Sequence, residues 1–303
     1  MFNFLYLPVW FFKTRILGKQ IPLQSVVFIT DKCNLQCKHC NVYGKESNTN
    51  ISTFEEVKRE LEYCYKLGSR FIDFGGGEPL IWKDETNPSD IKDINSLFEL
   101  AKKIGFFSTT VTTNGQIDFS HCESDSIWVS LDGIGEYHDA IRGKGAFERL
   151  VRNIENSSHR HLSVNMVINN LNYPSVRETI EFAKNNKNIE MISINFHTPF
   201  PQTEYLELDW NVRNKIIDEV IEMKKQGFPI MNSVSGLKLM KSSDFRKYCW
   251  ISNFVMPDHT HFAQCMGKEA GLCDRCGFSM AGEMNALMSL RPDTVIAGMK
   301  LRM

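Results

Sequence analysis

Acidic residues are missing from the first thirty positions, although the whole chain carries 36 Asp and Glu against 35 Lys and Arg. That near balance, a formal net charge of −1 over 303 residues, removes the basic footprint of nucleic-acid-binding chains, so no nucleic-acid partner is expected. No apolar run reaches the roughly 20 residues a membrane-spanning helix needs. The nearest approach, Met1 to Phe12 (MFNFLYLPVWFF), is too short. It has no positive charges ahead of it and no small-residue cleavage site behind it, so it does not read as a secretory signal. Internal repeats and low-complexity tracts are also lacking. A disulfide scaffold is excluded in turn: such a chain would be shorter and would carry an even number of cysteines, whereas this one has nine.

What is present is the composition of a globular protein, with 42% hydrophobic and 23% charged residues. The length suffices for one large α/β domain with a smaller appendage, or for two ordinary domains. Seven cysteines fall into two tight groups, Cys33, Cys37 and Cys40, then Cys249, Cys265, Cys273 and Cys276; only Cys64 and Cys122 stand alone. Clusters of this kind read as thiolate ligands in a reducing compartment, and a cytoplasmic location is expected. Lys13, Arg15 and Lys19 follow the apolar N-terminus. Residues 1–22 therefore have two readings. Either they pack over the bottom of the main domain, or residues 1–19 form an interfacial anchor with Trp10 and the Phe residues among lipid headgroups.

Short β-type runs alternate with helical patterns over the first 230 residues. Strands are predicted at Gln24–Thr30, Arg70–Phe74, Phe106–Thr112, Ser126–Leu131, His161–Ile168 and Glu190–Phe196. Most are near-continuous apolar runs, as parallel strands covered on both faces require. Helices are predicted between them. The first, Ser52 to Gly68, opens on a capping box of Ser52 and Glu55 and stops at glycine. Asp93–Ile104, Ala146–Asn156, Pro174–Asn186 and Asp209–Gln226 follow. Six strands alternating with helices predict an α/β fold, a partial (β/α)6 TIM-like barrel over 23–230, with its chemistry at the C-terminal ends of the strands. A boundary near 230 separates it from a small C-terminal extension, 231–303.

Cys33, Cys37 and Cys40 give the spacing C-x3-C-x2-C just after the first strand. Three thiolates on one loop can hold three corners of a cubane iron–sulfur cluster and leave one iron without a protein ligand. A small molecule with an amine and a carboxylate can chelate that iron. A zinc site completed by His39 is the alternative. This pattern resembles the radical S-adenosylmethionine (SAM) superfamily, in which the position of His39 is usually aromatic. The resemblance covers roughly residues 24–200 by strand count. It implies a [4Fe–4S] cluster, SAM as cofactor, oxygen sensitivity, and an external one-electron donor of flavodoxin or ferredoxin type.

Gly75-Gly76-Gly77-Glu78-Pro79 ends the second strand and looks like that family's GGEP motif. The resemblance implies that backbone groups at Gly76, Gly77 and Glu78 bond the methionine amino group of SAM. Trp128 to Gly133, with His138-Asp139 and Arg142-Gly143, looks like the fourth-strand region of peptide-modifying members. There the serine and arginine contact the ribose and carboxylate of SAM, roles carried to Ser130 and Arg142; a surface ion pair of Arg142 with Asp139 is the plainer reading. Asn114 is placed at the cavity, although Asn114-Gly115 is equally a turn signal.

The second group has the spacing C-x15-C-x7-C-x2-C. Its first interval reads as a β-hairpin turning at Pro257-Asp258-His259-Thr260, which would bring Cys249 and Cys265 together at the base. Four thiolates suit a fully ligated auxiliary [4Fe–4S] cluster, and equally a structural zinc. The arrangement looks like the shortened "twitch" form of the SPASM extension, with His259 where a glycine often stands. Met280, Met284 and Met288, at helical spacing, are expected in buried packing. His197 reads as a satisfied structural histidine rather than a group acting on substrate. The function these features imply is reductive cleavage of SAM to a 5′-deoxyadenosyl radical that takes hydrogen from a carbon of a peptide or protein. A lipid or other apolar small molecule is the second substrate reading, and a non-catalytic iron–sulfur electron carrier is the rival of another class.

Overall fold

The computed structural model describes residues 3–40 and 50–300; the outermost residues of the expected N-terminal segment and C-terminal extension, 1–2 and 301–303, lie outside the described residues. In chain order the strands are β1 (Gln24–Phe28), β2 (Phe71–Gly75), a small antiparallel pair β3 (Lys83–Asp84) and β4 (Lys92–Asp93), β5 (Ser108–Thr113), β6 (Ser126–Ser130), β7 (Leu162–Ile168), β8 (Ile192–Phe196), β9 (Ser252–Val255) and β10 (His261–Phe262). The helices are α1 (Asn3–Arg15), α2 (Phe54–Leu67), α3 (Ile94–Ile104), α4 (Glu136–Arg142), α5 (Ala146–Asn156), α6 (Val176–Asn185), α7 (Trp210–Lys225), α8 (Val234–Leu239), α9 (Met266–Glu269), α10 (Ser279–Met288) and α11 (Pro292–Lys300).

All six predicted strands form. They lie parallel in one sheet in the order β1-β2-β5-β6-β7-β8, the arrangement of a partial barrel whose inner and outer faces are both covered. Phe74 from β2, Val111 from β5, Ile127 and Val129 from β6 and Val164 from β7 are fully buried in its core. The predicted capping box is displaced by one residue. Thr53 is the N-cap of α2 and pairs with Glu56, while the Ser52 N–H is held by the Ile29 carbonyl. Pro174 belongs to a 3-10 turn, Tyr173–Ser175, that leads into α6.

Beyond residue 230 the chain does not leave the sheet. The hairpin β9-β10 adds to it, with β9 parallel to β1, Gln24 opposite Ser252 and Val27 opposite Val255. The turn of this hairpin includes His259 at φ +65°, the left-handed conformation that glycine would adopt without strain. Cys276 and Gly277 meet the opposite end of the sheet: the Phe196 N–H of β8 donates to the Gly277 carbonyl (2.9 Å), and the Gly277 N–H donates to Thr198 Oγ1 (2.9 Å). The C-terminal segment thus joins both edges of the open barrel. α10 buries Met288, but Met280 is 41% exposed, which corrects the expectation that all three methionines are packed.

α1 lies against the N-terminal ends of β1 and β2. Trp10 is buried with Ile251 and Met288 and donates from Nε1 to the Ile21 carbonyl (2.8 Å). Tyr6 donates its hydroxyl to the Gly68 carbonyl. The indole predicted for the headgroup region is therefore unavailable to lipid. Among the described residues, no helix is long and apolar enough to cross a membrane.

Candidate functional site

β1 ends at Phe28, and the chain turns through Ile29 to Lys32 into the loop that carries Cys33, Cys37 and Cys40. That loop is fixed from below by the strand end of β2. The Gly77 N–H donates to the Thr30 carbonyl and the Glu78 N–H to the Lys32 carbonyl, both at 2.8 Å. A Cβ on Gly77 would fall 2.2 Å from the Lys32 oxygen, and one on Gly76 would fall 2.8 Å from the Thr30 oxygen. The glycines are required because two backbones approach closely. These N–H groups are already committed, and an incoming ammonium needs acceptors, so backbone carbonyls are the groups of this segment suited to it.

The Glu78 side chain, which sequence reasoning overlooked, is buried and ties two strand ends together. Its carboxylate accepts from Thr113 Oγ1 (2.7 Å), the Asn114 N–H (2.7 Å) and the Leu80 N–H (3.1 Å). Burial pushes its carboxyl above the ordinary value, with those three bonds opposing the shift. Asn114, held in this way, extends Nδ2 to Asn34 Oδ1 (2.7 Å) and toward Cys33 Sγ (3.7 Å). The Leu35 N–H also points at Cys33 Sγ (3.4 Å).

On the other side of the loop, Lys38 N–H is bound by the Ile141 carbonyl of α4 (3.0 Å). Arg142, at the end of α4, places Nη1 3.8 Å from Cys37 Sγ. Its partner is Asp132, not Asp139: Nε donates to Asp132 Oδ2 at 2.6 Å, with both side chains buried. Asp139 instead accepts from the Gly145 and Phe147 N–H groups at the start of α5. Asp132 Oδ1 accepts from the Val167 N–H (2.9 Å). Burial pushes Cys37 up to about 11, with Arg142 pulling the other way. Arg142 and the Asn114 amide thus supply the positive charge and the donors that thiolates need when taken out of water.

Two histidines complete this group, His138 buried and His39 largely so. His39 Nε2 is 3.8 Å from Asp132 Oδ2, and its Nδ1 has no hydrogen-bond partner among the described residues. Burial lowers it to about 4, so it is neutral near pH 7. His138 accepts the Asp132 N–H on Nδ1 (3.1 Å) and is likewise lowered to about 4 by burial. Ser130 ends β6 opposite Asn165, one residue from Leu131 and two from Asp132. His197 is satisfied by the Thr203 carbonyl and hydroxyl (3.1 and 3.0 Å), as the sequence predicts.

The second cysteine group converges through the hairpin. Cys249 opens a 3-10 turn before β9, and Cys265 follows β10 as the N-cap of α9. The two thiols are neighbours, and Cys265 is lowered by Cys249 and by the Lys268 and Gly267 N–H groups, against the burial that raises it. Cys273 and Cys276 flank the next 3-10 turn and lie within electrostatic reach of Cys249. The nine cysteines are all free thiols. Arg213, also missed from sequence, donates from Nη2 to the Cys276 carbonyl (2.9 Å) and stacks over Phe196 and Trp210. Among the described residues no three His, Cys, Asp or Glu side chains are arranged to hold a single metal ion. As donor sets, three thiols under an Arg and an amide, and four thiols around backbone N–H groups, fit thiolate-bound iron–sulfur clusters.

Comparison with known proteins agrees with this geometry. The mycofactocin maturase MftC of Mycolicibacterium smegmatis is 28% identical over 144 residues, which are 47% of this chain but only 36% of the relative. The chain thus matches about a third of that relative's length. A probable GTP 3',8-cyclase of Methanocella arvoryzae is 26% identical over 278 residues, 86% of this chain and 87% of the relative. Streptococcus suis SuiB bound to precursor peptide SuiA shares the fold with a TM-score of 0.65 at 16% identity, over 94% of this chain and 68% of that one. Residues 27–183, just over half the chain and including the first cysteine loop, the glycine–glutamate strand end and Arg142, match the Radical SAM superfamily, and the chain belongs to it.

Proposed function

We propose that this chain is a radical SAM enzyme that takes hydrogen from a carbon of a peptide or protein substrate, with the barrel at 23–230 and an auxiliary-cluster extension at 231–303. Membership of the superfamily implies a [4Fe–4S] cluster and SAM. When bound, they supply a 5′-deoxyadenosyl radical on delivery of one electron, here from a flavodoxin- or ferredoxin-type donor. The observation that carries the reading is the seat of the Cys33, Cys37 and Cys40 loop: its backbone is clamped by Gly77 and Glu78, Cys33 Sγ lies beside the Asn114 amide, and Cys37 Sγ lies beside Arg142.

The roles of the chain's own residues follow. Cys33, Cys37 and Cys40 would hold the cluster. Backbone carbonyls at Gly76–Glu78 accept from the methionine ammonium, and Ser130 meets the ribose. Arg142 meets the carboxylate through guanidinium nitrogens other than Nε, which Asp132 holds. Cys249, Cys265, Cys273 and Cys276 would hold an auxiliary [4Fe–4S] cluster, in the manner of a twitch extension, which would supply one-electron chemistry beside the barrel. Such sites are oxygen-sensitive and suit the cytoplasm. Support for a peptide substrate comes from the fold shared with SuiB, which is described bound to a precursor peptide. The GTP 3',8-cyclase relative, matching most of both chains, favours a nucleotide as the second reading.

Anaerobic reconstitution followed by SAM and dithionite tests this directly. Wild-type protein is expected to form 5′-deoxyadenosine and to bind about eight iron atoms per chain, falling to about four when Cys273 and Cys276 are replaced by alanine. Full iron content and SAM turnover after Cys33, Cys37 and Cys40 are all changed to alanine would refute the assignment. An electron carrier would give iron without 5′-deoxyadenosine, and zinc at the second site would leave its iron count unchanged by mutation. Deuterium transfer into 5′-deoxyadenosine from labelled peptide or labelled GTP separates the substrate readings.

A further inference from the structure

We propose that α1 docks the protein on an anionic phospholipid surface, with Leu5, Val9, Phe12 and Ile16 entering the acyl boundary and Lys13, Lys19 and Lys66 lying against the headgroups. The proposal goes beyond the chemistry of the barrel. The helix has two apolar sides, and only one is used by the fold. Trp10 and Thr14 face inward, the first packed on Ile251 and Met288, the second donating to the Trp10 carbonyl (2.9 Å). Leu5, Val9 and Phe12 of α1, and Ile16 in the turn that continues it (Ile16 N–H to the Phe12 carbonyl, 2.9 Å), recur at spacings of four, three and four residues, which places them on one stripe. They are 66, 47, 54 and 64% exposed. Four large apolar side chains aligned on a surface helix are more than scattered exposure, and they mark an interaction face.

Charge identifies the occupant. Lys13 lies beside the stripe, Lys19 follows, Arg15 on the other side is turned to the Met288 carbonyl (3.0 Å), and the first thirty residues contain no acidic side chain. Beside the stripe, between α1 and the C-terminal end of α2, is a cavity of about 250 Å³ lined by Val9, Trp10, Lys13, Lys66, Leu67 and Arg70, with no carboxylate in its wall. An apolar stripe flanked by cations and backed by a basic recess complements a bilayer with anionic headgroups. A protein partner of matching character would have to carry both a hydrophobic groove and an acidic rim.

The position in the fold gives the docked orientation. α1 is fastened to Ile21 and Gly68, which precede β1 and β2, whereas the cysteine loop follows the C-terminal end of β1. Docking would therefore present the opposite end of the barrel to the lipid and leave the cysteine loop facing the aqueous side.

Co-sedimentation of the full-length protein with vesicles tests the proposal. Wild type is expected to bind vesicles of phosphatidylcholine mixed with phosphatidylglycerol, to bind pure phosphatidylcholine far less, and to be released by salt. Because its side chains are exposed, the double variant Phe12→Gln/Ile16→Gln should fold as wild type and lose roughly tenfold or more in partitioning. Lys13→Gln and Lys66→Gln should each lower it about fivefold. Absence of binding to anionic vesicles, or equal binding by the stripe variant, would overturn the proposal. So would a wild-type dimer in solution that the stripe variant converts to a monomer without any lipid binding, since that outcome assigns the face to a second copy of the chain.

Discussion

Asp132 and Arg142 form a buried charge-assisted hydrogen bond, 2.6 Å from Oδ2 to Nε, whose guanidinium also reaches toward Cys37 Sγ at 3.8 Å. The pair links the strand-end region of β6 to the cysteine loop across α4. Its carboxylate is drawn below the ordinary range by Arg142 and the nearby histidines, in spite of the burial that opposes the shift.

Asp132→Asn is expected to destabilise the iron-free protein by about 3 kcal/mol, because a guanidinium would stay buried without its counter-charge. Urea unfolding under reducing conditions measures this. A loss below about 1 kcal/mol would mean that water reaches the pair.

Gly77→Ala should leave helix content intact and abolish iron uptake on reconstitution, because its Cβ would meet the Lys32 carbonyl at 2.2 Å and push the cysteine loop away. Gly298→Ala, at a position in α11 with nothing within 4 Å, is the control. Iron per chain and visible absorbance report the difference.

Stability should fall as pH rises from about 4.5 to about 7 because of Glu283 on α10. Burial raises its carboxyl from 4.5 to about 7, while the Ser233 N–H (2.9 Å to Oε1) and Lys224 oppose the shift and Asp293 adds to it. Below 4.5 the group is protonated whether the chain is folded or unfolded, and there is no cost. Between 4.5 and 7 the folded state holds the extra proton, so stability declines with pH; above 7 the full cost of about 3 kcal/mol applies. Glu283→Gln should flatten that slope in thermal unfolding between pH 5 and 8, and an unchanged slope would place the titration elsewhere.

His259→Gly should be close to neutral. Relief of the left-handed backbone (φ +65°) offsets loss of the half-exposed contact with Glu60 (3.0 Å). His259→Val, β-branched in the same conformation, should cost about 1–2 kcal/mol. Chemical denaturation of the three proteins gives the ranking.

The barrel strands are legible because their signal is local: parallel strands covered on both faces must be apolar almost throughout, as in Ser126 to Leu131. The first helix start is ambiguous for an equally local reason. Ser52-Thr53-Phe54-Glu55-Glu56 contains two overlapping capping boxes, and the choice is made from outside, by Asp84 Oδ2 accepting the Phe54 N–H (2.7 Å) and Ile29 accepting from Ser52. The two cysteine groups stand out by spacing alone. Asp132 as the partner of Arg142 does not, because Asp139 is nearer in sequence and only the turn after β6 brings Asp132 underneath. The pairing of β9 with β1 spans more than two hundred residues, and nothing in either strand announces it. The side chain of Glu78 was hidden behind a motif read for its backbone.

That long-range pairing has a consequence for dissecting the protein. β1 has a neighbour on each side only because β9 occupies one of them. A truncation ending before Cys249 would strip hydrogen-bonding partners from the strand that feeds the cysteine loop and leave a naked ladder open to self-pairing and aggregation. The tail is thus a structural bracket of the barrel, and shortened versions should be made by excising internal loops rather than by trimming from the end.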